Sequence, residues 1–157
     1  MEYILSKSHI NSHNLLFKIP VKNQNPEYLY YYKIIYTNHY YNLKYILLNL
    51  ELNKDHIKQS KNSYIIDISN DKTFVNQIYK IEKQILDSIN IYLHKKANYV
   101  CVNELKKKRY IYSLPQYPHL NHFYLKISGV WESKTDIGIV YKLYYNTSTE
   151  KFINIVC

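Results

Sequence analysis

Glycine is nearly missing from this chain, with only Gly129 and Gly138 among 157 residues. That scarcity excludes glycine-rich loops that cradle phosphates and the glycine-flanked serine of a nucleophile elbow. Cysteine is equally sparse: Cys101 and Cys157 are too few for a disulfide-built secreted domain. Arg109 is the only arginine and Trp131 the only tryptophan. No apolar run approaches the roughly 20 residues that a membrane-spanning helix requires. The opening residues Met1 to Lys7 lack the basic and apolar blocks of a signal peptide. An intracellular, non-secreted protein without a membrane partner is the expectation.

What is present is lysine, asparagine, isoleucine and tyrosine, including 20 tyrosines. An AT-rich coding sequence produces the same bias, so these counts carry less weight than their size suggests. Lysine plus arginine number 21 against 12 acidic residues, a formal net charge of +9. That balance favours a polyanionic partner, although net charge bears on association and not on fold. The length suits one domain able to bury an ordinary core.

Residues 1–27 read as an N-terminal arm, with Pro20 and Pro26 as breakers and a short strand over 15–19. Residues 28–157 then form the main domain. Two β-rich runs, 28–37 and 41–51, read as a long hairpin whose second strand is buried on both faces for part of its length. A polar gap over 53–62 leads to a third run, 63–69. Apolar Phe74, Ile78, Ile81, Ile85, Ile89 and Tyr92 then recur at spacings of three and four, which predicts a helix over 71–96. Asn70 suits its N-cap, Asp71 its positive end, and His94, Lys95 and Lys96 its last turn, with Asn98 closing it. Short strands at 100–102 and 110–112 are expected to flank the cluster Lys106, Lys107, Lys108 and Arg109. Pro115 and Pro118 mark a turn-rich connection.

The C-terminal run from Phe123 to Tyr145 alternates on both sides of Ser133-Lys134-Thr135, the mark of a β-hairpin. With Glu132 opposite Asp136, Leu125 faces Leu143, Ile127 faces Tyr141 and Trp131 faces Ile137. The other side carries Tyr124 opposite Tyr144 and Lys126 opposite Lys142. Like charges directly across a ladder are destabilising, so this pairing suggests an anion brought by a partner with flat rings. Phosphates held by lysine and bases stacked on tyrosine satisfy that description, at roughly 1–3 kcal/mol per stacked base. Lys33, Lys44 and the tyrosines at 30–32 extend the same face onto the first hairpin. Trp131 shares the parity of Leu125 and Ile127, which favours core or barrel mouth over base stacking. Gly129 in mid-strand suits a bulge, a barrel corner or a close backbone approach. Gly138 leaves either room for a base or simple curvature.

The succession of three strands, a helix and a strand pair resembles the oligonucleotide/oligosaccharide-binding (OB) fold. That family is mainly β with one helix, a five-stranded Greek-key barrel with the helix between strands three and four. Residues 125–132 and 138–142 are similar to single-stranded-DNA-binding proteins of large DNA viruses and linear plasmids. The resemblance implies non-specific binding of single-stranded DNA, in preference to RNA, during replication or repair. It also implies nuclear or cytoplasmic residence, including in an infected host cell, with self-association or contact with replication proteins. Tyr124, Lys126, Lys142, Tyr144, Lys33, Lys44, Lys106, Lys107, Lys108, Arg109 and Trp131 are the candidate contacts.

Two rival classes stand beside this reading. One is a β-rich viral structural or interaction module using the tyrosine-rich strands as a protein interface. The other is a metal-dependent nuclease with Glu51, Asp67 and Glu132 on separate strands. The lysine cluster at 106–109 also suits a nuclear-import signal or a solvated loop. His119 and His122 with the two cysteines lack the short spacing of a zinc site. No cofactor, metal or catalytic group is expected.

Overall fold

In a computed structural model the described residues are 10–37, 40, 42–61, 63–107, 110–113, 122–146 and 152–155. Along the chain come β1 (Leu15–Phe17), β2 (Val21–Lys22), β3 (Tyr30–Thr37), β4 (Asn42–Leu43), β5 (Ile46–Glu51), β6 (Ile57–Ser60) and β7 (Ser63–Ile66). The long helix α1 (Lys72–Leu93) follows, then β8 (Lys96–Ala97), the short helix α2 (Val100–Leu105) and β9 (Tyr110–Ser113). The chain closes with β10 (His122–Glu132), β11 (Asp136–Asn146) and β12 (Phe152–Ile155). The architecture is mixed α and β, mostly strands, with a curled, half-barrel-like sheet and one long helix.

Strand β10 organises that sheet. One edge pairs with β11 for its whole length; the other pairs first with β5, then with β3. The changeover falls at a β-bulge. Ile127 lies opposite Tyr141 and Gly129 opposite Val140, which leaves Ser128 as the extra residue. A bulge bends its strand and sharpens the twist, so the two partner strands diverge from this point and the sheet curls. The Tyr31 hydroxyl donates to Ser128 O at 2.9 Å and fixes the bulge. The Tyr31 ring occupies the space that a side chain at Gly129 would need.

The inner surface of the curl is the core. Phe123, Leu125, Ile127 and Val130 of β10 meet Ile46, Leu48 and Leu50 of β5, Ile34 and Tyr36 of β3, and Ile137, Ile139 and Leu143 of β11. Helix α1 covers them with Phe74, Val75, Ile78, Ile81, Ile85, Leu86 and Ile89, the expected stripe with Val75 and Leu86 added. Burying each such side chain is worth roughly 1.5–3 kcal/mol. Tyr92 is the exception to the stripe, being 77% exposed.

Several expectations change. The helix is capped by Asp71, whose carboxylate accepts from the Phe74 N–H at 2.9 Å, and not by Asn70. It ends at His94, in the left-handed conformation with φ 53°, and not at Asn98. Asn90 enforces that stop: its amide bonds both the N–H and the C=O of Lys95, at 2.7 and 2.8 Å. Residues 100–102 are helical because the buried Glu82 carboxylate holds the Cys101 and Val102 N–H groups. The first hairpin is short. Among the described residues only Tyr36 with Leu43 and Thr37 with Asn42 pair, and β5 then leaves for β10, with Ile46, Leu47, Leu48 and Leu50 buried. The polar gap after β5 contains the strand β6, in a second sheet ordered β6-β7-β9. The arm before Tyr28 supplies β1 and β2, both paired with β3, and places Leu15 in the core. The helix follows seven strands and not three, and β1 and β12 are not hydrogen-bonded to each other among the described residues.

Gly129→Ala tests the bulge directly. A Cβ there would lie 2.5 Å from the Tyr32 carbonyl, which strand pairing prevents from moving away. The expected cost is about 1–3 kcal/mol in chemical denaturation, and a neutral substitution would contradict the packing described.

Candidate nucleic-acid interface

Register determines which side chains share the outer face of the curled sheet. Lys126 stands opposite Lys142 and Tyr124 opposite Tyr144, as alternation predicts. Lys33 of β3 pairs with Gly129 and joins that same side, with Tyr31 two residues away. Tyr45, next to β5, lies under Lys126, whose ammonium is 3.8 Å from the ring centroid. Such a cation–π contact is worth roughly 0.5–1 kcal/mol at an exposed site and relieves part of the repulsion from Lys142. Lys33 and Lys142 are exposed, and Tyr31, Tyr45, Val140 and Lys126 are half-buried. Three cations and two rings therefore share one face.

Beyond the bulge the register shifts by one. Trp131 pairs with Gly138 and Glu132 with Ile137, in place of the expected Ile137 and Asp136. Trp131 therefore leaves the side of Leu125 and Ile127 and lies on the outer face, half-buried, over Gly138. Tyr28 packs edge-on against it, centroid to centroid 5.0 Å. The space at Gly138 is filled by the indole and offers no room for a base or ribose. Tyr124 differs as well: it is 6% exposed and Leu47 beside it is buried, so this end of the face is covered.

The remaining candidates are dispersed. Tyr144 is opposite Tyr124 by register. Lys44 is exposed at the break between β4 and β5. Lys106 and Lys107 are exposed after α2, which Glu82 pins to α1, and they belong with the helices. Lys108, Arg109, His119 and Cys157 lie outside the described residues. Tyr45 is the ring that sequence reasoning missed. Its alternation with Leu47 and Asn49 would have pointed to it once β5 was paired with β10.

Two of the carboxylates considered for catalysis, Glu132 and Asp67, are occupied in holding the fold. Glu132 accepts from Lys95 Nζ at 2.8 Å and from the Tyr32 hydroxyl at 2.6 Å. Burial, then the bond to Glu132, pushes the Tyr32 phenol up. Lys95 also donates to the carbonyls of Ser133 and Lys134, so this lysine staples the hairpin tip to the end of α1. Asp67 accepts from Ser69, through both its N–H and its hydroxyl. Glu51 pairs through its backbone with His122 at the end of β5. A small pocket of about 260 Å³ is lined by His56, Asp55, Asp67 and Asp71. His56 has both ring nitrogens engaged, Nδ1 accepting from the Asn53 N–H and Nε2 bonded to Asp71 at 2.9 Å. It is therefore not placed to act as a base. The Phe74 N–H, aided by His56, holds the Asp71 carboxyl below its usual range. Among the described residues no three histidine, cysteine, aspartate or glutamate side chains converge as metal ligands, and no helix is long and apolar enough to cross a membrane.

No family model, curated protein or solved structure matches this chain.

Two outcomes follow from the buried charges. Burial pushes the Glu82 carboxyl up to about 7, against the lowering effect of the Val102 and Cys101 N–H groups. The folded chain then keeps a proton that the unfolded chain has lost above its ordinary value of 4.5. Stability should fall as pH rises from about 5 to about 7, by up to about 1.4 kcal/mol per pH unit, and level off above. Thermal unfolding across that range should show this slope, and Glu82→Gln should flatten it. Lys95→Met leaves Glu132 buried beside Tyr32 alone and should cost about 3–5 kcal/mol, read by urea denaturation at neutral pH.

Proposed function

We propose that the outer face of the curled sheet binds single-stranded nucleic acid, DNA in preference to RNA, without sequence specificity and without turnover. The observation that carries this reading is the shared face of Lys33, Lys126 and Lys142 with the Tyr45 and Tyr31 rings. Lysines supply the phosphate contacts and rings the stacking surfaces, the two components of a sequence-tolerant single-strand site. The bulge supports the reading too, because it carries Trp131 onto this face.

The OB-like barrel belongs to this proposal. Its support is a curled, mostly β sheet with a long helix on the inside and a closing C-terminal hairpin; the helix following seven strands sets this chain apart from the simple five-stranded plan. A role in replication or repair, among proteins similar to those of large DNA viruses and linear plasmids, follows from the same resemblance.

Trp131 is the only tryptophan, so its emission reports on this face. Titration with oligo(dT) should quench it, with tighter binding than to a duplex of equal length and an affinity that falls with salt. Lys33→Glu with Lys142→Glu should weaken binding and reduce the salt slope by about 0.7 for each phosphate no longer neutralised. Tyr45→Ala should cost roughly 1–3 kcal/mol and leave that slope in place. Absent binding, no preference over duplex, or an unchanged slope in the double variant would remove this face from the proposal.

A further inference from the structure

The β1 edge of the sheet carries a second surface. A groove of about 1030 Å³ runs between the residues of β1 with the stretch after it and the second half of α1. Its walls are unusually apolar for exposed surface: Ile19 is 88% exposed, Ile91 68% and Tyr92 77%. Contiguous exposed apolar area of this kind marks an interaction site more often than isolated residues do.

Backbone as well as side chains is on offer there. The Lys18 N–H bonds the Lys33 carbonyl at 2.9 Å, so alternation turns the N–H and C=O groups of Phe17 and Ile19 away from β3. Among the described residues no strand pairs with that outer edge of β1. An open edge with apolar neighbours is a template for an added strand, and Pro20 limits the addition at one end. The rim is cationic. Lys18 and Lys80 have no acidic partner among the described residues, and Lys83 is paired with Asp87 at 2.6 Å.

We propose that this groove receives an extended segment of another protein whose apolar side chains alternate with aspartate or glutamate. The segment adds to the edge of β1, rests its apolar side chains on Ile19, Ile91 and Tyr92, and sets the carboxylates of its other side against Lys18. A second copy of this chain is the poorer occupant, because it would bring one lysine rim against another on chains of formal charge +9. Lys18 stands opposite Lys33 at the end of β1, so the acidic side of the segment lies beside the lysine face and its apolar side faces α1.

A phage-displayed library of random short peptides, panned on the full chain, tests this. Counter-selection uses Ile19→Asp with Ile91→Asp, an exposed pair whose thermal midpoint should match that of the parent. Enriched sequences should alternate apolar and acidic residues, and their synthetic forms should lose about tenfold or more in affinity for the double variant. Lys18→Glu should remove the acidic bias from the selected sequences. Sequences without acidic bias, sequences that ignore both variants, or a failure to enrich would overturn the proposal. So would a parent dimer in light scattering that Ile19→Asp with Ile91→Asp converts to monomer, since the groove would then be covered by a second copy.

Discussion

One extra residue in one strand governs this structure. Without Ser128, β10 would keep a single register with β11 and a single alternation from His122 to Glu132. With it, side chains before and after the bulge exchange faces: Phe123, Leu125 and Ile127 point inward, and so do Val130 and Glu132. The bend lets one edge of β10 serve β5 and then β3, which curls the sheet around α1. Tyr31 closes over Gly129 and bonds the bulge, so the second glycine-sized gap in the strand pair, at Gly138, is left for Trp131.

The chain divides its charges by place. Inside and at the ends of the core, the acidic side chains have defined partners: Glu132 with Lys95, Asp71 with His56, Asp67 with Ser69, and Glu82, which burial favours in its protonated form, with the N–H groups of α2. A buried carboxylate left alone would instead take up a proton or unfold the region. On the outer face, Lys33 and Lys142 are exposed and Lys126 rests on a ring. The contrast matters for function, because cations already neutralised in the fold would contribute little to a polyanion, whereas exposed ones release counterions on binding.

Much of this was legible from residue patterns. Alternation located the hairpin and the Lys126–Lys142 and Tyr124–Tyr144 pairs, and the three-four spacing located α1. What alternation could not show was the bulge, because glycine at 129 fits several backbone geometries and only pairing with β3 selects one. Trp131 was misplaced for that reason alone. The burial of Tyr124 depends on neighbours distant in sequence, which local pattern does not encode. The N-terminal strands were faint because β1 and β2 are three and two residues long. Residues 100–102, β-branched and apolar, favour strand by propensity; Glu82, from a neighbouring helix, overrides that preference.

Backbone amide shifts of isotopically labelled protein, recorded with and without oligo(dT) at low salt, test the central claim most directly. The account predicts the largest changes at Lys33, Lys126, Ser128, Trp131 and Lys142, with the exposed side of α1 unmoved. Changes concentrated on α1, or none anywhere, would contradict it.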